Sequence, residues 1–533
     1  MKPSPVSDNA AFTQLANTLS SDEEISLINA HYKVAKETQN IAVAEQGLQI
    51  ALSQNEFQQA TKMSLLVDDL RQEGHPSTTL YIIHALLNSK EYPAAVNATT
   101  ALIRNYPTAS LRSIAELYVT LPMERVNYLG QLNQRAPETA RAQNHWAMIT
   151  RIQLLEQQLN AAQDSLNKAL RVYPNASELE ILHIDLLEQQ GKNTESEDAL
   201  EQLIAQRSND QDVGLYYIQK RLQQERIDDA DRFAQTQTSH PDAYYQLQLA
   251  ALMNQADRPN TAKSLAESAL DGLPDRANLV LAEIDSNEKQ YESAIAYAEK
   301  VPAQSDFFYD AQVLRLSYLA QLKRFDEAEA LIEQLYNDFP MATDDIATME
   351  TRLLMKQEKN LEAIALYSLM MKRQPQNVDL IYERGVVGIL AEYDELFIQD
   401  MQKVIELNPY NADALNSLGY YYADKNIKLG EAEQLINDAL AIEPTSPMYL
   451  DSLGWLRFRQ GRITEAKELI ENVYEQLKYD PEVAAHLGEI YWVTGEPERA
   501  KQVWSEALKQ SDDRKTYLLD TLERLGVTLE DSE

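Results

Sequence analysis

A chain of 533 residues with 48 Lys+Arg against 83 Asp+Glu carries a formal net charge of −35. That balance argues against nucleic acid, whose phosphates need a basic footprint, and against anionic lipid surfaces. Cysteine is absent, which removes disulfides, thiolate metal sites and a thiol nucleophile, and no apolar run reaches the roughly eighteen residues that a membrane-spanning helix needs.

Residues 1–20 are rich in Ser, Pro and Asn and are expected to be poorly ordered. The opening MKPSPVSDNAAF lacks the apolar core of a signal peptide. Either the protein is cytoplasmic with Met1 as its native start, or a leader has been removed. A first helical pair is predicted from near Ser21, where SSDEE offers a cap followed by acids suited to a helix N-terminus. From there small residues mark the second helix of each pair: Ala60, Ala95, Ala162, Ser196, Ala230, Ala262, Ala294, Ala328 and Ala363. From Ala162 onward their spacings are 34, 34, 32, 32, 34 and 35, and Ala95 to Ala162 is 67, room for one degenerate unit.

Prolines repeat the spacing independently. Pro340, Pro375, Pro409 and Pro444 are 35, 34 and 35 apart, while Pro107 to Pro174 is 67 and Pro274 to Pro340 is 66. Each is predicted to follow a second helix and stop it. Residues 108–139 hold the degenerate unit, with Pro122 interrupting the helical pattern. Residues 385–404 are a second atypical place, because Phe397 stands where the alanine belongs and is expected to open the helix crossing or change the local curvature.

The pattern is sharpest over residues 411–511. Leu418-Gly419, Leu453-Gly454 and Leu487-Gly488 recur at 35 and 34 residues, and Ala432, Ala466 and Ala500 at 34 and 34. A glycine inside a helix costs about 1 kcal/mol against alanine, so three in one register imply that a second helix crosses there at close range. A fixed period of this length marks a stacked-repeat solenoid. The predicted fold is all-α: one continuous right-handed superhelix of helical hairpins over 21–512, about fourteen units long. A capping helix over Asp513–Leu525 and a loose tail complete 513–533.

Chemistry is hard to find. The seven histidines (31, 75, 84, 145, 183, 240 and 486) are scattered without ligand spacing, and no phosphate loop, dinucleotide fingerprint or nucleophile elbow occurs. The expectation is a non-enzyme with no catalytic, cofactor-binding or metal-ligating residue. Binding is what a solenoid offers, on the inner face of its first helices. Counting one, four and five residues beyond each glycine selects Tyr420, Ala423 and Asp424, then Trp455, Phe458 and Arg459, then Glu489, Trp492 and Val493. Of these, Tyr420, Trp455, Phe458, Arg459, Glu489 and Trp492 are the candidate partner-binding residues, an aromatic-plus-Arg set of the kind that anchors interfaces. Packing against the neighbouring unit is the alternative role of the aromatic members. Trp146 and Trp504 fall on core positions, and one member of each pair Tyr216-Tyr217 and Tyr244-Tyr245 is expected in the core.

Leu415, Leu418, Gly419, Tyr422, Ala432, Ile436, Ala439 and Pro444, repeated as Ala484, Leu487, Gly488, Tyr491, Ala500, Trp504 and Ala507, resemble the tetratricopeptide repeat. A carboxylate clamp, one familiar use of that fold, is not expected in these units. The corresponding positions are Asn416, Tyr420, Asp451, Trp455, Ala485 and Glu489, whose acids would repel a carboxylate. The segment from ALNSLGYYYADKN to GRITEA, together with HYKVAKETQNIAVAEQGLQ upstream, is similar to a proteobacterial family of outer-membrane repeat lipoproteins facing the periplasm. That resemblance implies a periplasmic adaptor, held by a lipid anchor, which partners a carboxyl-terminal processing serine protease and helps present substrates such as cell-wall hydrolases. The chain departs from those relatives in lacking their N-terminal signal and lipid-modified cysteine. The alternative is a structural scaffold for envelope assembly or secretion machinery with no effect on an enzyme.

Overall fold

The computed structural model describes residues 14, 26–53, 56–71, 76–107, 109–121, 126–135, 141–510 and 515–529. The expectation of disorder over 1–20, the start near Ser21, Pro122, the first residues of the predicted cap from Asp513 and the tail beyond 529 lie outside that set, Gln14 apart. Among the described residues there are thirty α-helices and no strand, grouped into two compact units, Met1–Met341 and Ala342–Glu533. Within each unit consecutive helices pack as hairpins, and most first helices also meet the first helix of the next hairpin.

The hairpins begin and end where local chemistry dictates. Asp210, Asp242, Asn377, Asn411 and Asp480 cap first helices, each side chain accepting from backbone N–H groups two or three residues on. Second helices stop two residues before Pro107, Pro174, Pro340, Pro375, Pro409 and Pro444. The residue before each proline is forced out of helical geometry; Asn408, for instance, lies at φ −137°, ψ 87°. Pro274 differs from the prediction. It opens the helix Pro274–Asn287, where its missing N–H has no helical partner to lose. The two spacings of 32 also gain a cause, because the second helices that fall within them, Ile227–Thr236 and Pro259–Ser268, are shorter than their fourteen-residue counterparts.

The crossings follow the predicted register. A Cβ on Gly419 would lie 2.7 Å from Ile436 Cγ1 and 3.2 Å from the carbonyl of Ala432, and on Gly454 and Gly488 it would strike Ile470 and the Trp504 indole. Alanines 432, 466 and 500 are fully buried beside them. At 385–404 the crossing stays closed, so Phe397 does not open it, the first of the two expected effects. Gly385 takes the crossing position, its notional Cβ 2.7 Å from Met401 Cε. Gly388 lies against the backbone nitrogen of Phe397, whose ring leaves the crossing and packs on Tyr421 of the next hairpin, 5.1 Å between centroids.

Among the described residues most hairpin turns hold one residue in the left-handed region, five residues before the small crossing residue; the turn before Ala432 holds two, Asn426 and Lys428. Gln157, Gly191, Glu225, Asp257, Lys289, Lys323, Glu358 and Glu392 form this series, with Gly461 and Gly495 near the end. Most are not glycine, so their side chains bear a conformational cost. Glu225→Gly, at φ 58° on an exposed turn, is expected to stabilise the chain by about 0.5–1 kcal/mol, the relief of left-handed strain exceeding the added entropy of the unfolded chain. Chemical denaturation of the two proteins checks it.

Candidate partner-binding faces

In the C-terminal unit the predicted inner-face residues come together, but over a surface the chain has closed on itself. Trp455 is only 1% exposed. Its indole stacks on the His486 ring at 4.2 Å and on Phe458 at 5.0 Å. His486, fully buried, bonds through Nδ1 to Asp451 at 2.9 Å and through Nε2 to the hydroxyls of Tyr517 (3.2 Å) and Tyr420 (3.3 Å). Those hydroxyls donate onward, Tyr420 to Glu482 at 2.6 Å and Tyr517 to Asp424 at 3.0 Å. Arg459 donates to the backbone carbonyl of Asp424 at 2.9 Å.

Tyr517 belongs to the helix Thr516–Leu525, which packs against the helix Pro481–Val493. From the same helix Arg524 reaches Glu489 with two hydrogen bonds, one at 2.8 Å, leaving that carboxylate 4% exposed. Two of the six predicted contact residues are therefore placed differently from the expectation. Trp455 and Glu489 are interior: Trp455 is covered by the His486 and Phe458 rings, and Glu489 by Arg524 of the terminal helix. Tyr420, Phe458, Arg459 and Trp492 are half-buried, Trp492 lying 6.0 Å from the fully buried Trp504 ring. Trp146 and Trp504 are core, as are Tyr217 and Tyr245, while Tyr244 is exposed.

The buried imidazole is electrostatically unusual. Burial alone would lower the His486 pKa, but the Asp451, Glu482 and Asp424 carboxylates outweigh it and hold it above the ordinary value. The hydrogen bonds fit an imidazolium, which donates from both ring nitrogens.

The N-terminal unit carries a groove that the sequence reading passed over. A cavity of about 470 Å³ opens along the helices Gln143–Leu155, Ser177–Gln189 and Gln211–Gln223, and two smaller ones of about 130 and 220 Å³ adjoin it. The register places them on the same inner face. Thr150, Ile184 and Ile218, twelve residues before Ala162, Ser196 and Ala230, are the buried crossing residues, just as Gly488 precedes Ala500 by twelve. One residue further on stand Arg151, Asp185 and Gln219, the counterparts of Trp455 and Glu489.

Arg151 lines all three cavities. Asp185 is engaged, accepting from the Tyr216 hydroxyl at 2.7 Å with Lys220 at 3.6 Å. Arg112 pairs with Glu116 on its own helix at 2.7 Å. Glu178 accepts from Ser110 at 3.3 Å; burial pushes its carboxyl up, and the Arg151 charge only partly offsets that. Arg151 Nε is buried with no hydrogen-bond partner among the described residues. Among them, too, no group of three or more His, Asp or Glu side chains is placed to hold a metal ion.

Residues 457–523 match the tetratricopeptide repeat family profile. The chain is 30% identical over 215 residues to TPR repeat-containing protein PA4667 of Pseudomonas aeruginosa, covering 40% of this chain and 36% of that one. It is 27% identical over 216 residues to human tetratricopeptide repeat protein 13, covering 38% of this chain and 24% of that one. The match thus spans about a third or less of each relative's length. Among solved structures, the Cut9–Hcn1 hetero-tetramer of the APC/C aligns over 98% of this chain and 94% of its own at 12% identity and TM-score 0.34. YrrB, described as a TPR protein with an unusual peptide-binding site, aligns over 33% of this chain and 91% of its own at 18% identity and TM-score 0.25. The hairpin period, the glycine–alanine crossings and the profile match make the chain an all-α solenoid of tetratricopeptide-repeat type.

Proposed function

We propose that this protein is a non-enzymatic adaptor that receives a protein partner on the inner faces of its first helices. The observation that carries this reading is the groove of the N-terminal unit, three adjoining cavities along successive first helices with polar side chains at their walls. Such a surface offers hydrogen bonds and shape to an extended chain and lacks a nucleophile–base pair for chemistry of its own.

The partner proposed is a carboxyl-terminal processing serine protease together with its substrates, such as cell-wall hydrolases, on the periplasmic side of the outer membrane. The resemblance of residues 414–466 to repeat lipoproteins of that compartment supports this choice. Light scattering of the purified chain mixed with such a protease is expected to give a complex, and hydrolase cleavage is expected to accelerate when the chain is added. No association and no change in cleavage would reject the protease as partner. A complex without any rate effect would favour a purely structural scaffold.

A further inference from the structure

We propose that the C-terminal unit carries a second docking surface, on the side of its second helices, that takes a lysine or arginine side chain of a protein partner. A cavity of about 440 Å³ opens between the second helices Ile463–Gln476 and Pro497–Gln510, with Leu487 and Tyr491 of the first helix between them also lining it. Tyr474 lines this cavity at 6% exposure, and its hydroxyl is buried with no hydrogen-bond partner among the described residues. Burial first, and the Glu506 carboxylate next, push its pKa up to about 12, so the proton stays on. The Tyr479 backbone eases that shift slightly but lies outside hydrogen-bonding geometry. A buried hydroxyl left alone is costly, and it marks a place where a polar group is missing.

In a chain of net charge −35 an exposed acid says little by itself. The pairing around Tyr474 says more. Glu471 accepts from the Tyr491 hydroxyl at 2.7 Å and from Arg499 at 3.3 Å, and Arg499 also reaches Glu496 at 2.8 Å, so these charges answer one another. Glu475 has no hydrogen bond or ion pair among the described residues, and Glu506 accepts only the Gln502 amide, at 2.9 Å. Lys478, the other cation at the wall, lies 5.7 Å from the Tyr479 ring and makes no ion pair among the described residues. The cavity therefore offers carboxylates from two successive second helices and a hydroxyl oxygen between them, all acceptors. An anion would be repelled here, and a neutral group would leave both carboxylates unanswered. A cation with several N–H donors suits all three, which is the chemistry that an ammonium and a guanidinium share. Leu487 and Val503 give its aliphatic stem an apolar wall.

End-capped Ala/Ser decapeptides carrying an uncharged fluorophore and one central arginine, lysine or citrulline are titrated with the full-length protein by fluorescence anisotropy. At least one cationic peptide is expected to bind about tenfold tighter than the citrulline peptide, the worth of one charge-assisted contact; which one does so identifies the head group. Glu475→Gln combined with Glu506→Gln is expected to abolish the difference, and Tyr474→Phe to narrow it to about threefold. Neither variant is expected to lower the melting temperature, since the hydroxyl has no partner to lose and neither carboxylate holds an ion pair among the described residues. Diffuse attraction of cations to an acidic chain would persist in the double variant, which gives up only two of 83 acidic residues. Equal binding of the three peptides, no binding of any, or a preference that survives the double variant or ignores Tyr474→Phe would overturn the proposal. So would a lowered melting temperature, which would make these groups structural. The adaptor reading of the inner faces stands apart from this surface and is decided by light scattering with the protease.

Discussion

Trp455→Ala is expected to destabilise the C-terminal unit by about 3–5 kcal/mol, the range for removing a large aromatic side chain from a packed interior. The ring is 1% exposed and sits between the His486 imidazole and the Phe458 ring. Deleting it leaves a void lined by groups from two hairpins, and it strips the apolar cover from a buried polar network. Read from sequence alone, Trp455→Ala combined with Trp492→Ala would weaken partner binding and leave helicity intact. The burial of Trp455 predicts loss of stability instead, with Trp492→Ala costing less because that ring is half-buried. Denaturant melts of the two single variants, followed by circular dichroism, separate the outcomes. An unchanged melt for Trp455→Ala would show that the indole is not interior.

The second large effect centres on Asp451 and His486. Removing one member of a buried charge pair costs about 3–5 kcal/mol, because the survivor stays desolvated without compensation. Asp451→Ala is expected to show that loss near pH 6, and less at higher pH, where the imidazole can escape by shedding its proton. The intact protein should be pH-sensitive as well. The folded-state pKa of His486 is raised above the unfolded value of about 6.5. The stabilisation is therefore complete below that unfolded value and fades as pH rises through the folded one. The groups facing the ring are the Asp451, Glu482 and Asp424 carboxylates and the Tyr420 and Tyr517 hydroxyls. Melting curves from pH 5.5 to 9 should show the C-terminal unit weakening on the alkaline side, and His486→Gln should flatten the profile. A unit that grows more stable above neutrality would contradict this assignment.

The repeat was legible because its signals are local in sequence. Small residues at the crossings and prolines two residues past the second helices recur at one period, each for its own steric reason. The left-handed turn residues keep the same spacing but were not readable, since Glu225, Asp257, Lys289 and Lys323 have nothing in their chemistry that announces positive φ. On the candidate faces the limit was different. Counting from Gly419, Gly454 and Gly488 selected residues that do come together, but no local pattern reveals that Tyr517 lies against Asp424, 93 residues earlier. The N-terminal groove was available to the same counting rule. Carried back to Thr150 it selects Arg151, which lines all three cavities.

The exchange at 385–404 has a practical consequence for re-engineering such arrays. At the register positions that hold Tyr422 and Ala432 in the hairpin over 412–442, this one holds Gly388 and Phe397; the glycine lies against the Phe397 backbone, and the ring packs on Tyr421 of the next hairpin. Substituting the consensus alanine at 397 alone would hollow out the contact with Tyr421, and a tyrosine at 388 alone would crowd the Phe397 backbone. Regularising the array towards its own average must therefore treat the two positions as a pair, since one sets how closely the backbones approach and the other fills the seam to the next hairpin.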